Sequence, residues 1–249
     1  MVVVDVSATL PLESGHGPPI VFVHGAANSA LVWKFWQREL ASRGVSSFAV
    51  NLRGHGGSSV DLSRTSMSDY ADDVSALVRQ LNAPPILVGW SMGGLVAMMA
   101  ASAGTAVACV GLASSTPASQ LDASVELRSG VFTAEEYGIT SDDPRDQTAM
   151  PDLDLEERTI ALDSLSPESR LARDERRQGV VIDRLPCPLL IVTGSRDEQW
   201  PRERYADMRL KADHISIEGA SHWGLVLNRR ALERCISAVL DWTQKVSTR

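Results

Sequence analysis

Pro85-Ile86-Leu87-Val88-Gly89-Trp90-Ser91-Met92-Gly93-Gly94-Leu95-Val96-Ala97 carries an apolar strand into a serine flanked by glycines and then directly into an apolar helix. A Gly-x-Ser-x-Gly spacing in that strand, turn, helix setting is the pattern of a nucleophile elbow. The glycines are needed because the serine takes a strained backbone conformation while strand and helix pass too close for a Cβ on either side. A five-residue match recurs by chance, so its weight comes from what surrounds it.

Residues 84–121, which contain the elbow, include no charged side chain. Glycines and serines interrupt the stretch, and it holds no continuous apolar run of 18 residues. It therefore reads as two buried strands around a buried helix rather than as a membrane span. Further short apolar or β-branched runs lie at 20–23, 46–50, 107–112, 189–192 and 214–217. Segments of helical spacing alternate with them at 33–42, 68–81 and 228–242. Within 68–81, Ser68 is the expected N-cap, with Tyr70, Val74, Leu77, Val78 and Leu81 facing inward. This alternation predicts the α/β class, a mostly parallel sheet flanked by helices on both faces.

A chain of 249 residues with 44% hydrophobic side chains can bury one large core of this kind. Its net charge of -7, with no basic run, argues against a nucleic-acid partner. Cys109, Cys187 and Cys235 show no paired spacing and read as small buried thiols in a reducing compartment. The first residues lack a basic segment followed by a long apolar one, so no signal peptide is read and a cytoplasmic location is expected.

Residues 122–184 differ in composition, with 16 acidic residues against 8 arginines, whereas the remainder holds 15 acidic against 16 basic. No strand-like run occurs there before Val180, and 155–164 has helical character. The expected organisation is a core formed by 1–116 and 185–249, with 117–184 inserted as a small, mobile, mainly helical lid over the C-terminal edge of the sheet. The acidity of that lid argues against strongly anionic substrates such as acyl-CoA.

A serine nucleophile needs a base, and the histidines are His16, His24, His55, His214 and His222. Only His222 lies in a Gly/Ser-rich turn, Gly219-Ala220-Ser221-His222-Trp223-Gly224, between the last strand and the last helix. There an imidazole can reach over the sheet edge. His16 and His214 read as structural or solvated. The imidazole in turn needs a carboxylate to hold its tautomer. Asp197 follows the strand at 189–192 in Thr193-Gly194-Ser195-Arg196-Asp197, and its Gly-x-x-Asp spacing favours it over the neighbouring Glu198. Residues 111–118, the other strand end where an acid could stand, have none. For the oxyanion, the Met92 N–H supplies one backbone donor and the loop after His24-Gly25 the second, from Ala26. Trp90, Trp223 and Trp200 are candidate walls of an apolar substrate pocket. Trp33 reads equally well as core.

His24-Gly25, Asn51-Leu52-Arg53-Gly54-His55-Gly56, Gly89 to Gly94, Gly194 to Asp197 and Ser221-His222-Trp223 together resemble the α/β-hydrolase superfamily. More narrowly, the chain resembles small bacterial serine carboxylesterases and their haloperoxidase- and lactonase-like relatives. The likeness covers the core but not the lid. It implies a catalytic triad of Ser91, Asp197 and His222 acting on a small-molecule ester, with no metal, cofactor or membrane partner. It also implies that Arg53 and His55 are mostly structural. A serine rather than an aspartate nucleophile argues against haloalkane dehalogenases and epoxide hydrolases. Ala27, where cofactor-free haloperoxidases often have proline, disfavours perhydrolysis. The small Ala26 leaves more room beside the oxyanion than the aromatic residue of many relatives. The same triad also serves lactonases, C–C bond hydrolases, thioesterases and lyases, and a degenerate triad can leave a non-catalytic receptor.

Overall fold

A computed structural model describes residues 5–11, 15, 17–58 and 60–247. The continuous apolar runs become strands β2 (Ile20–Val23), β4 (Ile86–Trp90), β5 (Ala108–Leu112) and β8 (Leu189–Gly194), each buried along its whole length. Burial on both faces explains why they lack polar alternation. With β1 (Asp5–Thr9), β3 (Ser47–Asn51) and β9 (Asp213–Ile217) they form a seven-stranded sheet of order β1-β3-β2-β4-β5-β8-β9. Every pairing is parallel except β1 with β3. This is the α/β-hydrolase fold expected from the sequence. The strand β1 is an addition to that expectation; it is a largely exposed edge strand and has no apolar run to mark it.

Alternate residues of β2 divide the core in two. Ile20 and Phe22 face one layer, with Trp33, Trp36 and Leu40, while Val21 and Val23 face the other, with Tyr70, Val74 and Leu95. The first layer is closed by helices α1 (Lys34–Ser42), α6 (Gly224–Leu227) and α7 (Arg229–Ser247), the second by α2 (Met67–Val78) and α3 (Met92–Ala101). Trp33 is fully buried and stacks on Phe22 with ring centroids 4.4 Å apart, so it is a core residue. All three cysteines are free thiols, two buried and Cys187 half-buried. No helix among the described residues is long and apolar enough to cross a membrane. His16 lies outside the described residues.

The start of α2 differs from expectation by two positions. Ser66, not Ser68, is the cap: its hydroxyl accepts the Asp69 N–H at 3.1 Å and the Asp69 carboxylate accepts the Ser66 N–H at 2.9 Å. Only Ser66 stands three residues before an acid, the spacing that this reciprocal box requires. Ser66→Ala is expected to lower stability by about 1 kcal/mol, read as a fall in the urea midpoint with an unchanged slope.

Between β5 and β8 the chain leaves the sheet. It forms a two-strand ribbon of β6 (Val131–Phe132) and β7 (Glu168–Ser169), with helices α4 (Leu155–Asp163) and α5 (Arg170–Gln178). Several short turns join these elements, so this segment is less helical than its sequence suggests.

Candidate active site

The register of the sheet lines up five strand ends, those of β2, β4, β5, β8 and β9. Val23 pairs with Gly89, Trp90 with Leu112, and Gly194 with Ile217, so the loops that follow them converge at one edge. Ser91 leaves β4 at φ 55 and ψ -122, in the positive-φ region that strains a residue with a side chain. Backbone bonds from Ser91 N–H to Leu112 and from Ser115 N–H to Ser91, at 3.0 and 2.9 Å, hold it there. The glycine requirement is steric: a Cβ on Gly93 would stand 2.3 Å from the carbonyl oxygens of both Val23 and His24. Ala27 and Ala113, on the two adjacent loops, also have positive φ.

His222 and Asp197 meet at this edge, with Nδ1 of His222 2.8 Å from Oδ2 of Asp197. The other oxygen, Oδ1, accepts the N–H groups of Gln199 and Trp200 at 2.9 and 3.0 Å. Burial alone would raise the Asp197 carboxyl. The hydrogen bond and charge of His222, with the two amides, outweigh it and hold the group below the usual carboxylate range. Glu198 is exposed and forms no such contact. The indole of Trp90 donates to the His222 carbonyl at 3.0 Å, which fixes the turn bearing the imidazole. Ser91, Asp197 and His222 line one cavity of about 680 Å³, together with Trp90, Trp200 and Trp223. No hydrogen bond joins Ser91 Oγ to His222 here; such bonds are often long until substrate is bound.

Among the described residues, neither the Ala26 nor the Met92 N–H donates to another group of the chain. Ala26 borders the same cavity, and Met92 follows Ser91 at the start of α3. The next amide along, Ala27 N–H, is engaged. It donates at 3.0 Å to Glu168, a fully buried carboxylate that β7 carries into the core.

Glu168 also accepts the Tyr70 hydroxyl at 2.5 Å and its own neighbour's N–H, Ser169, at 2.7 Å, and lies 3.3 Å from His55 Nε2. Burial would raise this carboxyl, but the His55 charge and the surrounding donors hold it at about 2. His55 Nδ1 faces the Arg53 carbonyl at 3.0 Å, so each ring nitrogen faces an acceptor, an arrangement that favours the protonated ring. Burial works against that charge, and Glu168 raises His55 above its ordinary value. His24 is the opposite case. Its Nε2 accepts the Leu52 N–H at 3.1 Å, and burial plus the nearby His55 charge lower it to about 3. Arg53 is fastened to Asp73 and Asp69. Arg53 and His55 are thus tied into packing, away from the cavity.

The inserted segment grips the site at a second point. Asp152 accepts the Ser221 N–H at 3.0 Å, one residue before His222. Ser164 donates to Asn28 at 2.8 Å and Ser166 N–H to the Ala27 carbonyl at 3.0 Å. Sequence reasoning misses both Glu168 and Asp152, because an acid in an acid-rich segment reads as solvated. The charge expectation is also reversed at the cavity wall. Many insert acids are used in ion pairs or buried bonds, whereas Arg176, Arg177, Arg196 and Arg204 line the cavity.

A family model described as "Alpha/beta hydrolase family" matches residues 20–237. The AB hydrolase superfamily protein YisY of Bacillus subtilis is 37% identical over 87 residues, 34% of this chain and 32% of that protein. Protein phosphatase methylesterase 1 of Mus musculus is 36% identical over 106 residues, 40% of this chain and 28% of that protein. The matched stretches thus span about a third or less of these relatives' lengths. Among solved structures, a thermophilic esterase from Thermogutta terrifontis superposes with a TM-score of 0.72 at 20% identity, covering 98% of this chain and 93% of that one.

Proposed function

The chain belongs to the alpha/beta hydrolase family, and from that premise we propose that it hydrolyses carboxylic esters through an acyl-enzyme on Ser91. The observation that carries this reading is the His222–Asp197 bond of 2.8 Å at the mouth of the cavity that Ser91 enters from its elbow. Ser91 Oγ bonds to the ester carbonyl carbon as His222 Nε2 takes the hydroxyl proton. Asp197 keeps the other imidazole N–H directed at itself and stabilises the cation that forms. The Ala26 and Met92 N–H groups receive the tetrahedral oxyanion; both are unused among the described residues, so binding it breaks no bond described there. The C–O bond to the alcohol then breaks, and the alcohol leaves with the proton from His222. Water, deprotonated by the same imidazole, opens the acyl-enzyme and returns Ser91 to its starting state. Esterase and methylesterase relatives are consistent with this chemistry.

Trp90, Trp223 and Trp200 form the apolar wall against which the acyl or alcohol part packs. Residues 117–184 serve as the lid: Ala134, Tyr137, Ile139, Thr148 and Leu165 from that segment face the cavity. The test is a panel of p-nitrophenyl esters of rising acyl length, with a lactone and an acyl thioester, against wild type and Ser91→Ala. Fluorophosphonate labelling, located by peptide mass spectrometry, identifies the nucleophile. Turnover of the esters and an adduct on Ser91 are expected; a folded protein that hydrolyses none of the panel would sink the reading. A lactone or thioester preference would shift the reaction within the family while keeping the nucleophile.

A further inference from the structure

Helix α5 carries Arg170, Arg173, Arg176 and Arg177. Three of them have carboxylate partners: Arg170 and Arg173 both pair with Glu136, and Arg177 stands 3.7 Å from Asp174. Arg176 has none among the described residues. One of its N–H groups donates to the Tyr137 hydroxyl at 2.9 Å, and both side chains border the cavity that contains Ser91. Arg176 is half-buried, so water screens it less than it screens the exposed Arg177. Arg204, in the same lining, lies over the Trp200 ring, 5.1 Å from its centroid, also without a carboxylate among the described residues. Of the two acids in this lining, Asp197 is committed to His222, which leaves Glu198 against Arg176, Arg177, Arg196 and Arg204. A protein of net charge -7 therefore presents a cationic lining at the cavity where its nucleophile stands.

We infer that the substrate carries a carboxylate, that Arg176 is the residue that recognises it, and that the preferred esters are monoesters of dicarboxylic acids. The inference rests on the esterase reading of Ser91 and deepens it. Tyr137 orients the guanidinium, leaving the rest of its planar set of donors for a bidentate grip on carboxylate oxygens. That contact fixes the acid end of the substrate and leaves the ester end for Ser91. Net charge alone would predict the opposite preference, because an acidic protein repels an anion at long range. Local pairing decides it.

The experiment compares matched esters: monomethyl succinate, glutarate and adipate against methyl butyrate, valerate and hexanoate, with kcat/KM followed by pH-stat. Wild type is expected to favour a hemiester over its neutral counterpart by about tenfold or more, the scale of a charge-assisted hydrogen bond. Arg176→Met is expected to cut that ratio at least fivefold, mainly through KM, with partial rescue in Arg176→Lys. Arg79→Met, the same charge change at an exposed position just after the end of α2, should leave the ratio as it is. A wild-type ratio at or below one, or a ratio that Arg176→Met does not change, overturns the inference. A second measurement separates it from the esterase reading: protection of Ser91 from fluorophosphonate by free glutarate. If no ester is turned over yet glutarate protects wild type and not Arg176→Met, the carboxylate site stands and the esterase reading falls. Equal protection of both proteins, or of neither, removes the carboxylate site.

Discussion

Ser91→Ala is expected to lower kcat for ester hydrolysis by about a million-fold, the scale at which a triad loses its nucleophile. At about 1.4 kcal/mol per tenfold, that is roughly 8 kcal/mol of transition-state stabilisation. The fold should not suffer. The substitution keeps a Cβ at the same positive φ, and it removes no hydrogen bond between the hydroxyl and His222, because none is formed. A thermal midpoint within about 2 °C of wild type is the control. Asp197→Asn should cost about 10⁴-fold in kcat, because an amide facing Nδ1 selects the wrong imidazole tautomer. Glu198→Gln, next along the chain, should change kcat by less than about threefold, as expected of an exposed side chain outside the triad. The reverse pattern at 197 and 198 would overturn the assignment of the acid. Burst kinetics with a p-nitrophenyl ester would show whether acylation or deacylation carries each loss.

Glu168→Ala is expected to destabilise the protein by about 3–5 kcal/mol, the scale of breaking a buried ion pair and leaving its hydrogen-bond donors without an acceptor. His55 would lose the carboxylate that holds its proton against burial and would become neutral, and the Tyr70 hydroxyl and Ala27 N–H would lose their buried acceptor. Activity should fall as well, because Ala27 adjoins the proposed oxyanion donor Ala26. Glu168→Gln is the milder test, since an amide oxygen can still accept from Tyr70 or Ala27 while His55 becomes neutral. It should also change how stability depends on pH. The Glu168 carboxyl is depressed to about 2, so its contribution is present above the ordinary glutamate range and is lost as pH falls toward that value. His55 is raised, so its contribution is complete below the ordinary histidine value and is lost as pH rises through the raised one. The difference in urea stability between wild type and Glu168→Gln should therefore peak at about pH 5–6 and shrink on both sides. A difference that stays flat from about pH 3 to 9, a window spanning both ordinary values, would mean the pair is not ionised.

The parts of the site that the sequence makes legible are those whose chemistry forces a local pattern. Gly89 and Gly93 mark the elbow because no other residue lets β4 and α3 approach so closely. The buried strands are legible because burial on both faces leaves only apolar residues. Ser68 is the natural cap by hydroxyl type, yet the acid at Asp69 selects Ser66, which a search for the three-residue spacing would find. Helix α5, RLARDERRQ, is amphipathic, but Leu171 and Ala172 are its only apolar residues, so it offers no apolar stripe to read. Glu168, Asp152 and Arg176 are illegible for a related reason: which acids and arginines turn inward is decided by tertiary pairing, which composition averages away. The bulk charge of the insert accordingly points to the wrong sign of charge at the cavity wall.

The grip of Asp152 and Glu168 bears on how this scaffold can be re-engineered. The segment between β5 and β8 leaves and rejoins the sheet at neighbouring strands, which makes it a natural unit to exchange. Here the graft would carry away the acceptor for Ala27 N–H and the acceptor for Ser221 N–H together. A transplanted segment would need its own glutamate reaching down to His55, and its own aspartate beside the turn that carries His222, before the recipient core could adopt its working shape. On the proposed reading, the segment that shapes the pocket also carries the two anchors of the core loops, so exchanging it forfeits both unless the anchors travel with it.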